Sequence, residues 1–412
     1  MSTPPRWSDV GITMRDYQGN LTLTDRDYYL NNAVYSAVEY PASPPIRGIS
    51  YLRGSSIPVT VRIVNHGPYD LVGWITFDDA RLASPGPNTY DSFTGTWSNP
   101  PEYRTLAIAP FMEYLELPAG SQVDLQIELS GTPNFVALGD IQVKYDMPLW
   151  RESDSFLGNN GTLGTFDSWE RLFLVDATPI APQAVPWADY LEYTCRWAFG
   201  HTGDPNVKTW MTRGMHYSLR SATSRARYLP SGVWFYPIFF DGNIAVEAPY
   251  NLGLLTALLD SQFWTELDCR DFAGGLQIAL SQHGHSSTPH LLTGSFDGQI
   301  HGFTTNLLCP AGTDSTIPSN YSAYGFNFHV VTNEWTGQYI DASTSYRYDP
   351  YGVTYNNPAT EWALPEYWQN DIGTRYSGLV AGTFYQGNWE DLVPLYEPIV
   401  VFPVEGLIFT LP

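Results

Sequence analysis

Basic residues are scarce in this chain of 412 residues, which has 20 Lys and Arg against 42 Asp and Glu and a formal net charge of −22. Lys144 and Lys208 are its only lysines. Nucleic-acid-binding surfaces need concentrated Lys and Arg to neutralise phosphates, and anionic membrane surfaces attract the same residues. The composition therefore argues against nucleic acid and anionic membranes as partners.

Cysteine is also scarce, and the three that occur are Cys195, Cys269 and Cys309. An odd count this low argues against a disulfide framework. The sequence leaves open whether Cys195 and Cys309 form a bridge or, as we favour, remain reduced residues of the core. Either arrangement leaves Cys269 as a thiol.

Long apolar runs are absent, since no stretch approaches the ~20 apolar residues of a transmembrane helix. The first seven residues lack the apolar segment of a secretory signal peptide. Aromatic residues, by contrast, make up 15% of the chain, with 35 Gly and 32 Pro. This composition predicts a folded, β-rich protein and resembles that of extracellular or virion proteins, which suits an oligomer or a surface assembly.

Residues 1–178 show the pattern of an all-β domain. Apolar and β-branched residues alternate in short segments about 8 to 12 residues apart, separated by Gly and Pro turns, as in a β-sandwich. The predicted strands cover residues 56–65, 71–77, 114–117, 123–129 and 137–145. The turns resemble those of immunoglobulin-like modules, and we assign Trp74 to the core of this domain.

The pattern changes after residues 179–186, a proline-rich segment that we interpret as a linker. Residues 187–355 form a second predicted domain, in which helices precede strands. Its predicted helices cover residues 187–199, 207–219 and 252–267, followed by a helix that begins near Cys269. Residues 356–412 return to β character and form a predicted C-terminal extension of the sheet, a docking segment or a small third unit.

The candidate chemistry centres on Cys269, at the predicted start of a helix that ends near Gly284. An unperturbed cysteine has a pKa of about 8.5, and only its thiolate attacks carbonyl carbon. A helix N-terminus presents unpaired N–H groups and a partial positive charge, which stabilise a thiolate. The same N–H groups can bind the oxyanion that forms on attack. We therefore predict that Cys269 is a nucleophile.

Two further groups would complete such a site. His329 lies in a segment of strand composition, residues 326–331, and Asp341 ends a second short strand, residues 338–340. Antiparallel pairing of these strands would bring the carboxylate beside the imidazole. The carboxylate would then orient the ring and stabilise its charged form.

The pattern Cys-x-Asp-Phe-Ala from Cys269, followed by a histidine and a carboxylate on successive strands, resembles the transglutaminase-like superfamily, whose core is similar to that of papain-type cysteine peptidases. Residues 289–294 fit the strand that follows the helix in that family, with His290 near its basic position. The resemblance covers roughly residues 185–355. It implies an α+β transglutaminase-like (papain-like) domain after the β-sandwich, with no metal or organic cofactor.

The resemblance also suggests weaker site residues. Trp234, 35 residues before the thiol, and Gln262, seven before it, match positions that bind the oxyanion in transglutaminases and papain-like enzymes. Core packing for Trp234 and the helix surface for Gln262 are the alternatives that we favour. Asp349, which precedes a proline as the family's carboxylate often does, competes with Asp341, and we favour Asp341 because it directly follows a strand.

Four of the eight histidines, His283, His285, His290 and His301, lie close together in sequence and could bind zinc or copper. No Cys or carboxylate ligand has matching spacing, so we predict no metal. The function that we predict is cysteine-dependent acyl transfer from a peptide or protein carboxamide, by hydrolysis, deamidation or transamidation. The alternative is a non-enzymatic surface, fibre or virion protein that keeps the domain as a scaffold.

Overall fold

The computed structural model describes residues 10–24, 34–35, 48–84, 89–91, 96–98, 102–108, 111–151, 163–218, 225–228, 239–241, 244–246, 255, 264–267, 269–296, 299–301, 303–310, 322–326, 329–334, 338–346, 368–369 and 400–403. The chain divides into two units. Unit 1 comprises residues 1–87, 99–177 and 185–202, and unit 2 comprises residues 88–98, 178–184 and 203–412.

The first fourteen strands precede any helix. They are β1 (Val10–Arg15), β2 (Leu23–Thr24), β3 (Val34–Tyr35), β4 (Gly48–Leu52), β5 (Ile57–Asn65), β6 (Leu71–Ser84), β7 (Thr89–Asp91), β8 (Thr96–Ser98), β9 (Glu102–Ile108), β10 (Phe111–Leu117), β11 (Gln122–Ser130), β12 (Ala137–Asp146), β13 (Leu149–Arg151) and β14 (Leu163–Val175). Ten of them form one sheet in the order β1-β5-β11-β9-β6-β12-β14-β4, with β10 and β13 also paired to β6. The sheet curls into a half-barrel.

Alternation of apolar residues decides which face of this sheet is buried. In β5, Val59, Val61 and Ile63 have no exposed surface. Val61 lies directly opposite the buried Leu125 of β11. The apolar positions of the two strands therefore face the same interior, as their period of two predicted.

Buried Asn65 connects three carbonyl groups at one end of the sheet. Its Nδ2 donates to the carbonyl oxygens of Tyr69 at 2.8 Å, Leu117 at 2.9 Å and Pro118 at 3.2 Å. Its Oδ1 accepts from the N–H of Gly67 at 3.0 Å. One amide thus holds the turn before β6 against the end of β10.

Helix α1 (Ala188–Trp197) lies in unit 1 and packs on β12 and β14. Arg171 of β14 donates to Glu192 of this helix at 2.5 Å, and Arg196 donates to the same carboxylate oxygen. Tyr190 and Cys195 of this helix are fully buried. The pair between Arg171 and Glu192 connects the helix to the sheet, the pair between Arg196 and Glu192 lies within the helix, and the apolar residues are buried in the core.

Strands β7 and β8 belong to unit 2, where they pair with each other. Unit 2 also contains the remaining helices and strands. They are α2 (Asp204–Ser218), β15 (Arg225–Tyr228), β16 (Phe239–Asp241), β17 (Ile244–Val246), β18 (Trp264–Leu267), α3 (Cys269–Gln282), β19 (Ser287–Phe296), β20 (Gln299–His301), β21 (Phe303–Pro310), β22 (Ser322–Phe326), β23 (His329–Glu334), β24 (Gln338–Ile340), β25 (Thr344–Tyr346), β26 (Trp368–Gln369) and β27 (Val400–Pro403). The largest sheet has the order β20-β19-β23-β24-β26, and β27 also pairs with β19.

Helix α3 is buried on every side between its third residue and its end, as expected of a helix at the centre of a core. It ends in a Schellman motif, because Gly284 has a φ of +79° and donates to the carbonyl of Ser281 at 3.1 Å. The N–H of His285 donates to the carbonyl of Leu280 at 3.0 Å. Glycine tolerates this left-handed conformation, so the end that the sequence predicted near Gly284 is confirmed.

The predicted α+β transglutaminase-like fold is wrong, because strands make up 47% of the structure and only three helices are found in its described part. Unit 1 is β-rich as predicted, but it is one curled ten-stranded sheet and not an immunoglobulin-like sandwich of two separate sheets. The predicted helix over 252–267 ends instead as strand β18, which pairs in parallel with β15. No helix among the described residues is long and apolar enough to cross a membrane.

Substitution Asn65→Asp should destabilise the fold by about 2–4 kcal/mol, because a carboxylate, which cannot donate, would face the three carbonyl oxygens that now accept from the amide. Urea unfolding at neutral pH measures the loss. The loss should shrink towards acidic pH, where protonation of the new side chain restores one donor. The exposed change Gln122→Glu is the matched control, and equal effects of the two variants would contradict the role of Asn65.

Candidate functional site

Cys269 is the first residue of α3, as predicted. It is a thiol and is 4% exposed. The N-terminal N–H groups of a helix have no partners within the helix, so the thiol belongs to the turn where an anion is stabilised. The helix that carries Cys269 is hydrogen-bonded to β23, because Thr332 Oγ1 of that strand donates to the carbonyl of Ala273 at 3.4 Å.

His329 is the first residue of β23, whereas the sequence placed it within a strand that began at residue 326. Its backbone is opposite Leu292 of β19, and its side chain lies outside the described set. The strand continues through the buried Val330 and Thr332. The histidine thus begins the strand on which α3 packs.

Asp341 directly follows β24, whose bounds agree with the prediction. Strands β23 and β24 are antiparallel neighbours, with Thr332 opposite Ile340. Asp341 is 3% exposed, and its Oδ1 accepts from the N–H of Ser343 at 2.8 Å and from Ser343 Oγ at 2.6 Å. The carboxylate is therefore fixed in a local turn at the end of the strand.

His216 is a residue that the sequence interpretation missed. It lies in the last turn of α2, is fully buried, and its Nδ1 is 2.9 Å from the carbonyl oxygen of Ala342. A carbonyl oxygen only accepts, so Nδ1 carries the hydrogen of this bond. Its position in a helix gave no signal, because only the fold brings it beside the residue that follows Asp341.

The first turn of α2 meets the opposite end of α3. Asp204 Oδ1 is 2.6 Å from Nζ of Lys208 and 3.3 Å from Nδ1 of His285, just beyond α3. Lys208 is 1% exposed, and a charge this buried requires a partner. The contact between Asp204 and His285 therefore connects the start of α2 to the end of α3, and the hydrogen bond of His216 connects the end of α2 to the turn after β24.

These contacts connect the elements that carry the predicted site residues. Ala273, one turn into the cysteine helix, accepts from Thr332. Thr332 is opposite Ile340, which directly precedes Asp341. A thiol, an imidazole and a carboxylate are the groups that acyl transfer through a thioester requires.

The structure does not describe the side chains of several other residues that the sequence suggested for the site. Trp234, Gln262 and Asp349 lie outside the described residues. The side chains of His290 and His301 lie outside them too, although both residues lie in strands. His283 and His285 are buried, and within the described residues no three metal-binding side chains converge.

Cys195 contrasts with Cys269. It is a fully buried thiol in the last turn of α1. Burial, and secondarily the carboxylate of Glu192, raises the pKa of the Cys195 thiol well above its ordinary value. Cys195 is therefore an unreactive structural cysteine and an internal reference for any thiol reagent.

Comparisons with known proteins leave the function open. No family model matches the chain, and no curated protein matches it. Among solved structures, the PapD-like domain 7 of human CEP192 is similar at a TM-score of 0.20 and 13% identity, over 34% of this chain and 96% of that domain.

Two enzymes are similar to the same low degree. AvmM, which catalyses macrocyclization in alchivemycin A biosynthesis, has a TM-score of 0.19 and 9% identity, over 42% of this chain and 92% of that one. A family 123 glycoside hydrolase from Clostridium perfringens has a TM-score of 0.18 and 10% identity, over 42% and 28%. At these scores none of the three assigns a fold or a function to this chain.

Substitution His216→Leu should destabilise the protein by about 1–3 kcal/mol, because the buried carbonyl of Ala342 loses its donor. His216→Asn should cost less, since the amide of asparagine can donate from nearly the position of Nδ1. Urea unfolding measures both variants, and hydrogen exchange should accelerate around residues 341–343 in the leucine variant. Equal stability of the two would contradict a role for this hydrogen bond.

Proposed function

We propose that the protein is a cysteine-dependent acyl-transfer enzyme that acts on a peptide or carboxamide carbonyl through a thioester. The observation that carries the proposal is the packing of the helix that begins at Cys269 on the strand that begins at His329, next to the strand that directly precedes Asp341. The chain needs no metal or organic cofactor for this chemistry.

In the proposed reaction His329 removes the proton from the Cys269 thiol, and the sulfur adds to the substrate carbonyl carbon. The N–H groups in the first turn of α3 stabilise the oxyanion. As the tetrahedral intermediate collapses, the carbon–nitrogen bond breaks and His329 returns the proton to the leaving amine. Water then attacks the thioester, and a free acid and the thiol are regenerated.

Asp341 has the role of orienting His329 and stabilising its charged form. Its Oδ1 is used by Ser343, so the proposed contact with the imidazole is made by Oδ2. Hydrolysis is favoured over transamidation because nothing in the sequence marks a site for an amine substrate. Peptide and protein amides are the proposed substrates.

A second candidate is a non-enzymatic structural protein. The 4% exposure of Cys269 and the use of Asp341 in a local turn favour it. A buried cysteine acts as a small apolar residue, and a carboxylate that accepts from the N–H two residues later stabilises a turn whether or not it has a catalytic role. Thiol reactivity separates the two candidates.

Incubation with p-nitrophenyl acetate should acetylate Cys269 with release of p-nitrophenol, followed by turnover as water cleaves the thioester. Peptide mass mapping should find the acetyl group on Cys269 and none on Cys195, whose thiol pKa is raised by burial. Cys269→Ala should abolish the burst, and His329→Ala should slow it about 10²-fold or more.

The same variants decide between the candidates. If Cys269 reacts with iodoacetamide no faster than a small-molecule thiol at neutral pH and Cys269→Ala releases p-nitrophenol at the wild-type rate, the enzyme proposal fails. If His216→Asn abolishes the burst while His329→Ala leaves it intact, the assignment of the base to His329 fails.

The turn and the charge of Asp341 can be tested separately. In Asp341→Asn the amide oxygen can still accept both hydrogen bonds from Ser343, so the turn should persist while the negative charge is lost. Turnover should then fall on the order of 10²-fold with little loss of stability. Ser343→Ala should instead lower stability and leave most of the activity. The reverse pattern would show that Asp341 is only a turn residue.

A further inference from the structure

Two aromatic side chains form an exposed corner on the outer face of unit 1. Trp74 of β6 and Tyr114 of β10 are directly opposite each other in the ladder, and each is 42% exposed. Their rings meet edge to face, with centroids 5.2 Å apart and planes at 69°. The prediction that Trp74 lies in the core is therefore wrong. We name the pair of Trp74 and Tyr114 the aromatic corner.

The strand pleat explains why the corner faces solvent. The adjacent Ile75 and Leu115 have side chains on the other face and are buried, because neighbouring residues of a strand alternate between faces. Met112 extends the apolar surface along β10 and is 65% exposed. Large apolar groups that cluster in solvent mark binding surfaces.

The charged residues on the two paired segments that form the corner are of one sign. Residues 71–77 and 111–117 contain Glu113 and Glu116 and no Lys or Arg. Both glutamates are exposed, and Glu116 lies two residues from Tyr114 on the same face of the strand. Aromatic faces attract cations, and a nearby carboxylate strengthens that attraction. The corner therefore fits a cationic group.

Strand β10 also offers its backbone. Among the described residues β6 is the one strand that pairs with it, so its second edge presents N–H and C=O groups. An exposed edge accepts an extended segment as an added strand. Side chains of such a segment would alternate, and every second one would lie beside Met112, Tyr114 and Glu116.

We propose that the edge of β10 and the aromatic corner bind an extended basic segment of a partner protein. The segment adds to β10 as a strand, places an arginine against Trp74 and Tyr114, and pairs that arginine with Glu116. Arginine fits better than lysine because its planar guanidinium stacks on a ring and pairs with a carboxylate at the same time. The surplus of acidic residues in the whole chain favours the same partner.

The test uses the full-length protein and a fluorescein-labelled peptide, Arg-Thr-Val-Thr-Arg-Thr-Val, whose binding is measured by anisotropy. A peptide with citrulline in place of arginine keeps the shape and removes the charge, and should bind about tenfold more weakly or worse. A peptide N-methylated at alternate residues cannot donate to β10 and should lose binding. Raising NaCl from about 50 mM to about 300 mM should weaken the arginine peptide.

Variants locate the site. Trp74→Ala and Tyr114→Ala should each weaken the arginine peptide about tenfold, and both side chains are exposed enough for the fold to persist, which circular dichroism verifies. Glu116→Gln should weaken binding and flatten its salt dependence. Glu128→Gln removes the same charge from an exposed position on β11 and should have no effect. Cys269→Ala should bind as wild type does, so this test is independent of the proposed catalysis.

Three results would overturn the proposal. Equal affinity for the arginine and citrulline peptides would exclude recognition of a cation. Displacement of the peptide by a neutral oligosaccharide such as cellohexaose, with no difference between arginine and citrulline, would assign the corner to a glycan. Concentration-dependent dimerisation that Trp74→Ala abolishes, seen by sedimentation without peptide, would show that a second copy of the chain covers it.

Discussion

The enclosure of helix α3 is the constraint on which the candidate site depends. Its apolar residues, among them Phe272, Leu276 and Leu280, are buried together with polar neighbours such as Asp271 and Gln282. A helix buried all round must be packed by several elements at once. Helix α2, β19 and β23 supply that packing, and the position of Cys269 follows from it, because a helix fixed along its length has a fixed first turn.

In unit 1 the corresponding constraint is the two-residue period of the strands. Apolar side chains of β5, β11 and β12 cover the inner face of the curled sheet. Because side chains of a strand alternate between its two faces, the neighbours of an inward-facing residue face outward. Trp74 is exposed for this reason: the side chain of the adjacent Ile75 is buried on the inner face, so the side chain of Trp74 lies on the outer face.

Local structure around the site could be predicted from the sequence, because it depends on neighbouring residues. The start of α3 at Cys269, its end at Gly284 and the bounds of β24 follow from helix-end signals and from alternation. The fold class could not be predicted. Residues 264–267 have spacing compatible with a helix, but they form β18 because Arg225–Tyr228 offers a strand partner distant in sequence, and pairing between distant strands has no local signal.

The sequence by itself determined where the nucleophile candidate begins a helix, which residues alternate in the strands, and the net negative charge of the chain. The tertiary structure alone decided that His216 reaches the carbonyl of Ala342, that Asp341 is held by Ser343, and that Trp74 faces solvent beside Tyr114. The difference is physical. Helix ends and pleats depend on residues a few positions apart, whereas burial and pairing depend on which distant segments meet.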